Sequence, residues 1–102
     1  MKVYILEDET NILKYLISLV EALPFVQIVG YASEIAKAEK EIPVLQPELI
    51  LSDIQLADGN SFTLFSRIKT DSLQIIFITA FNQFAMEALN LGAFAYLLKP
   101  ID

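Results

Sequence analysis

From one end of the sequence to the other, short apolar runs alternate with longer amphipathic ones, and each change falls at a point rich in Asp, Asn, Gly or Pro. This alternation predicts an α/β domain on a parallel sheet, because parallel neighbours must be joined by crossovers of helical length. Val3–Leu6 is wholly apolar with β-branched members, as a central strand covered on both faces requires. From about Thr10 to Leu23, the residues Ile12, Leu16, Leu19, Val20 and Leu23 recur at helical spacing, and Pro24 stands where a helix cannot continue. Val26–Ala32 reads as the second strand. Ser33 then caps a polar helix over about 34–41, and Pro43 and Pro47 bracket the next connection.

Glu48–Ser52 is the third strand and delivers Asp53 at its carboxyl end, with a turn signal following at Asp58-Gly59. Ser61 caps a third helix that buries Leu64, Phe65 and Ile68, and the almost purely apolar Leu73–Thr79 is the fourth strand. Asn82–Leu91 is a fourth helix closed by Gly92, and Ala93–Leu98 is the fifth strand. A fifth covering helix is expected after Asp102. Without it, apolar surface near the fifth strand and the first helix predicts either self-association or a shortened chain.

The 102 residues, 55% of them hydrophobic, suit one domain over 1–102 with a single core and no staples. The absence of cysteine and histidine removes disulfides, thiol nucleophiles, Ser-His-Asp triads and imidazole metal sites. Only hard oxygen ligands remain, so a bound metal should be magnesium-like. The net charge of −6, with no Lys/Arg cluster, argues against direct nucleic-acid binding by this segment. No run approaches the length of a membrane span or a signal-peptide core, and a cytoplasmic location is expected.

In open parallel sheets ligands bind beyond the carboxyl ends of the strands, so the residues there carry the chemistry. The first strand ends in Glu7 and Asp8, the third in Asp53, the fourth in Thr79, and the fifth in Lys99-Pro100. Three converging carboxylates repel one another unless a cation and Lys99 offset their charge. A magnesium ion held by Asp8 and Asp53, with Glu7 acting through water, meets that requirement. Asp53 is then placed as a nucleophile toward phosphorus, and Thr79 and Lys99 as donors to the phosphoryl oxygens after transfer.

Taken together, Glu7-Asp8, Asp53, Thr79-Ala80 and Lys99-Pro100 resemble, in order and spacing, the receiver domains of two-component response regulators, across the whole chain. The resemblance implies a flavodoxin-like, doubly wound five-stranded sheet of order 2-1-3-4-5, here lacking the last helix. It also implies that Asp53 is the phospho-acceptor, fed by a histidine kinase, in a protein that promotes its own phosphorylation without being a turnover enzyme. Glu7, Asp8, Asp53 and the main-chain carbonyl of Gln55 would form the Mg²⁺ site, and Thr79, Ala80 and Lys99 would bind the phosphoryl group. Tyr96 matches an aromatic switch position that responds to Thr79, and Lys99-Pro100 matches a bond that is usually cis. The stretches Ile-Ile-Phe-Ile-Thr-Ala-Phe and Tyr-Leu-Leu-Lys-Pro-Ile resemble the subgroup joined to LytTR-type DNA-binding domains, which implies transcription regulation. Ala95 departs from that subgroup, which often has an acidic residue there.

Other readings compete. Singly, a Glu-Asp pair or a strand-end aspartate is an ordinary solvated cap, Thr79 a strand residue, Lys99 a surface charge and Tyr96 core packing. A degenerate receiver would fold alike and act as an interaction module without phosphorylation. A phosphatase with two aspartates spaced by one residue would want an acid at Gln55, and a flavodoxin-like cofactor binder would want a phosphate loop where Glu7-Asp8-Glu9 stands.

Overall fold

A computed structural model describes residues 1–101. The strands are β1 (Lys2–Leu6), β2 (Gln27–Ala32), β3 (Leu49–Ser52), β4 (Gln55–Leu56), β5 (Gly59–Asn60), β6 (Gln74–Thr79) and β7 (Ala95–Leu98). The helices are α1 (Thr10–Glu21), α2 (Ile35–Leu45), α3 (Ser61–Arg67) and α4 (Ala85–Leu91). Five strands form one parallel sheet in the order β2-β1-β3-β6-β7, while β4 and β5 make a two-residue antiparallel hairpin after β3. Counting only the strands of the main sheet, this is the expected 2-1-3-4-5 order, and the α/β class stands.

The alternation of side chains along β1 splits the core in two. Tyr4 and Leu6 face a cluster with Ile35, Ala38 and Ile42 of α2, Leu64 and Phe65 of α3, Phe77 of β6 and Ala88 of α4. Val3 and Ile5 face the other way, onto Leu16 and Val20 of α1 together with Leu51 and Ile78. Three helices thus cover one face and α1 alone covers the other among the described residues. Tyr96 packs with the first cluster, so Leu97, its neighbour along the strand, points to the α1 side and stays half exposed. Tyr15, Leu19 and Leu23 are similarly exposed.

Several boundaries move for identifiable reasons. α2 passes through Pro43 and ends at Leu45, where the sequence predicts a connection. The proline lies on the exposed side near the helix end, and the turn closes through the Gln46 N–H donating to the Ile42 carbonyl at 2.9 Å, with Gln46 left-handed at φ 49°. Ser33 does not cap α2. The Asp58 carboxylate does so from 23 residues away, accepting from the N–H groups of Ile35 at 2.8 Å and Ala36 at 3.0 Å. Nor does Ser61 cap α3: the Asn60 side chain accepts from the Phe62 N–H at 2.8 Å, one residue earlier than expected. α1 stops at Glu21 rather than Leu23, and α4 begins at Ala85 rather than Asn82. Gly92 does close α4, at φ 90°. Among the described residues no helix is long and apolar enough to cross a membrane.

Candidate functional site: an acidic rim closed by a lysine

The main chain sets the site before any side chain acts. Parallel pairing continues one residue past the strand ends: Glu7 N–H donates to the Ala32 carbonyl at 3.0 Å, Asp53 N–H to the Leu6 carbonyl at 2.9 Å, and Lys99 N–H to the Thr79 carbonyl at 2.8 Å. These bonds tie the ends of β2, β1 and β3 to one another and the end of β6 to that of β7, and the pairing of β3 with β6 sets the two groups side by side.

Glu7, Asp8 and Asp53 each present a carboxylate oxygen within 4.8 Å of the other two. Glu7 and Asp53 are buried, whereas Asp8 is exposed. Lys99 reaches across from the far side: its Nζ donates to Asp53 Oδ2 at 2.7 Å and lies 2.8 Å from Glu7 Oε1, an ionic contact without good hydrogen-bond alignment at the glutamate. Main-chain donors satisfy the other oxygens, Ile54 N–H giving to Asp53 Oδ1 at 2.6 Å and Glu9 N–H to Glu7 Oε2 at 3.0 Å. The Ser52 hydroxyl donates to the Asp53 carbonyl at 2.6 Å.

The electrostatics follow. Burial pushes the Glu7 carboxyl above the ordinary carboxylate range, against the pull of the Lys99 ammonium and the Glu9 N–H. Burial by itself would lower Lys99, yet its contacts with Asp53 and Glu7 outweigh this and hold the ammonium firmly charged. One ammonium among three carboxylates leaves negative charge in excess. The donor set is oxygen only, compact and partly open through Asp8, which suits a hard divalent cation that keeps some of its water.

Of the remaining residues singled out from sequence, Thr79 ends β6, Tyr96 lies within β7 and Gln55 is in the hairpin after β3. Thr79 is fully buried, with its Oγ1 accepting from the Phe81 N–H at 3.4 Å, and Ala80 beside it is exposed. Tyr96 is half-buried, its hydroxyl donating to the Phe81 carbonyl and its ring 6.4 Å from that of Phe77. Burial raises the phenol above its ordinary value. Gln55, two residues beyond Asp53, opens β4 opposite Asn60. The Lys99-Pro100 peptide is cis, as the resemblance implied. Sequence reasoning missed Ile54 and Glu9, which act through main-chain N–H groups that no side-chain pattern reveals, and Ser52, which looks like any strand residue.

Comparison with known proteins agrees with this fold. The family model described as the response regulator receiver domain matches residues 3–102. The sensory transduction protein LytT of Bacillus cereus is 34% identical over 100% of this chain and 42% of its own length. The transcriptional regulatory protein CitB of Klebsiella pneumoniae is 37% identical over 95% of this chain and 43% of its own. The chain thus spans about two-fifths of the length of these curated relatives. Among solved structures, the response regulatory domain of protein mrkE from Klebsiella pneumoniae superposes with a TM-score of 0.92 at 32% identity, covering 100% of this chain and 85% of that one. The response regulator domain of Thermotoga maritima CheB shares the fold, with a TM-score of 0.88 at 22% identity over 98% of this chain and 78% of that one. Sequence, sheet order and rim thus converge, and the chain belongs to the receiver domain family of response regulators in two-component signalling.

Proposed function

We propose that this domain is a phosphorylation switch in which Asp53 accepts a phosphoryl group from the phosphohistidine of a histidine kinase. The observation that carries the reading is the Lys99 ammonium, seated 2.7 Å from Asp53 Oδ2 and 2.8 Å from Glu7 Oε1 at the edge of the three-carboxylate cluster. An Asp53 oxygen forms the new bond to phosphorus while the bond from phosphorus to the kinase imidazole breaks, and the imidazole nitrogen keeps the electron pair. Ile54 N–H holds Oδ1 and so fixes the plane of the attacking carboxylate. Lys99 then turns from the carboxylate to the phosphoryl oxygens, which Thr79 and the main chain at Ala80 also meet.

Glu7, Asp8, Asp53 and the Gln55 carbonyl would hold Mg²⁺, which when bound neutralises charge on the transferring group. Thr79, drawn toward the phosphoryl group, pulls on the segment leading to Phe81, whose carbonyl accepts from Tyr96. Remaking that contact links acceptor chemistry to the surface around β7. The domain undergoes this change once per transfer and is no turnover enzyme. By analogy with CitB, a transcriptional regulatory protein, we read it as the input part of a transcription regulator working in the cytoplasm, with any DNA contact made by a separate output domain.

Intact-mass spectrometry after incubation with Mg²⁺ and a small acyl phosphate tests this directly. The wild-type chain should gain one phosphoryl group and Asp53→Asn none, with both equally folded by circular dichroism. A phosphoryl group retained on Asp53→Asn would overturn the assignment, and an unmodified wild type would favour the phosphorylation-independent interaction module.

A further inference from the structure

β2 is an edge of the main sheet, with β1 as its single strand neighbour among the described residues, so alternate main-chain groups along it face outward. Ala32 turns its carbonyl inward to the Glu7 N–H at 3.0 Å, and direction alternates along a strand, so the Tyr31 carbonyl faces the open side. Residues 26–32 carry no charge and no proline, and include Val26, Ile28, Val29 and Tyr31. An open edge of that composition readily pairs with another strand.

One side chain crosses that open side. Lys37 stands in the first turn of α2, which the Asp58 carboxylate anchors. Its Nζ donates to the Tyr31 carbonyl at 3.0 Å and lies 5.4 Å from the centre of the Tyr31 ring. Ala32 pairs with Leu6 on the α2 face of the sheet, whereas Tyr31 pairs with Ile5 on the α1 face. A lysine rooted on one face therefore reaches round the strand to a ring on the other, and its ammonium occupies the outward acceptor on the way. Among the described residues no carboxylate pairs with it. We propose that Lys37 is an edge guard, which keeps β2 from pairing with the β2 of a second copy of this chain. The strand suits its own image: it carries no charge to repel it in an antiparallel, two-fold pairing. That pairing needs the Tyr31 acceptor that Lys37 holds, and it would bring two ammonium groups together.

Site-resolved amide exchange of the whole chain by NMR, at low and high protein concentration, tests the guard, because it reads β2 itself and not association through another flank. In the wild type the Tyr31 amide should exchange at a rate independent of concentration. Lys37→Gln should slow that amide about tenfold at the higher concentration, since a two-fold contact loses its guard twice, while the Ala32 amide on the β1 side keeps its rate. Lys37→Arg, which keeps the cation and its reach, should behave as wild type. A Tyr31 amide indifferent to concentration in Lys37→Gln, or already protected in the wild type, would overturn the proposal, as would Lys37→Arg associating like Lys37→Gln. Faster exchange at both Tyr31 and Ala32 in Lys37→Gln would show a strut that only holds β2 in place, and would overturn the guard as well.

Discussion

Lys99 pairs with two buried carboxylates at once, one of them on Glu7, whose side chain is 1% exposed. Removing it strands a buried negative charge, which costs far more than a surface ion pair contributes. Lys99→Ala is therefore expected to lower the stability of the metal-free domain by about 3 kcal/mol, somewhat less if Glu7 takes up a proton instead. Urea denaturation with and without Mg²⁺ would check this, with the deficit shrinking as the ion is added; a variant as stable as wild type in both conditions would contradict the role. Glu7, Asp8, Asp53, Thr79 and Lys99 were legible in the sequence because strand-end position and side-chain type both speak. Ile54 and Glu9 were not, since an N–H aimed at a carboxylate depends on local backbone direction and any residue can supply it.

At the scale of elements, helix ends are where sequence and structure part. Ser33 and Ser61 are the residue types that cap helices, yet Asp58 and Asn60 do the work. Asn60 differs from expectation by one residue, within ordinary uncertainty about where a helix begins. Asp58 was hidden for another reason: a cap supplied from 23 residues away is a tertiary contact, and local patterns cannot see it. Pro43 misled because a proline usually ends a helix, while here its missing donor falls near an end already about to close.

Asp58 also makes the acid limb of stability testable. The N–H groups of Ile35 and Ala36 hold its carboxyl below the ordinary value of 3.8. The unfolded chain therefore takes up its proton first as pH falls, and the stability this cap contributes is complete above the unfolded value and lost through the folded one. Asp58→Ala should cost about 1 kcal/mol at neutral pH. Asp58→Asn should keep most of the cap yet flatten the decline below about pH 4. Urea midpoints measured from neutral to acid pH would separate the two, and parallel curves for wild type and Asp58→Asn would rule out the titration.

For the whole molecule, the order of the five strands followed from resemblance, while their existence followed from apolar runs bounded by turn residues. The uneven cover of the two faces follows from helix count, and it leaves Tyr15, Leu19, Leu23 and Leu97 partly bare on the α1 side. Isolated exposed apolar residues are ordinary, but several on one flank favour contact with another surface. We expect the 102-residue chain to self-associate, with a sedimentation mass that rises with concentration. A constant monomer mass would contradict this expectation.

The five residues after Asp53 span a short bridge with both abutments fixed, one at the Asp53 carboxylate and the other at the first turn of α2. A bridge so brief has little slack, so displacement at the first pier must travel to the second. If Asp53 takes up a phosphoryl group as proposed, the earliest amides of α2 should exchange with solvent at a different rate, making that helix start a remote gauge of the rim.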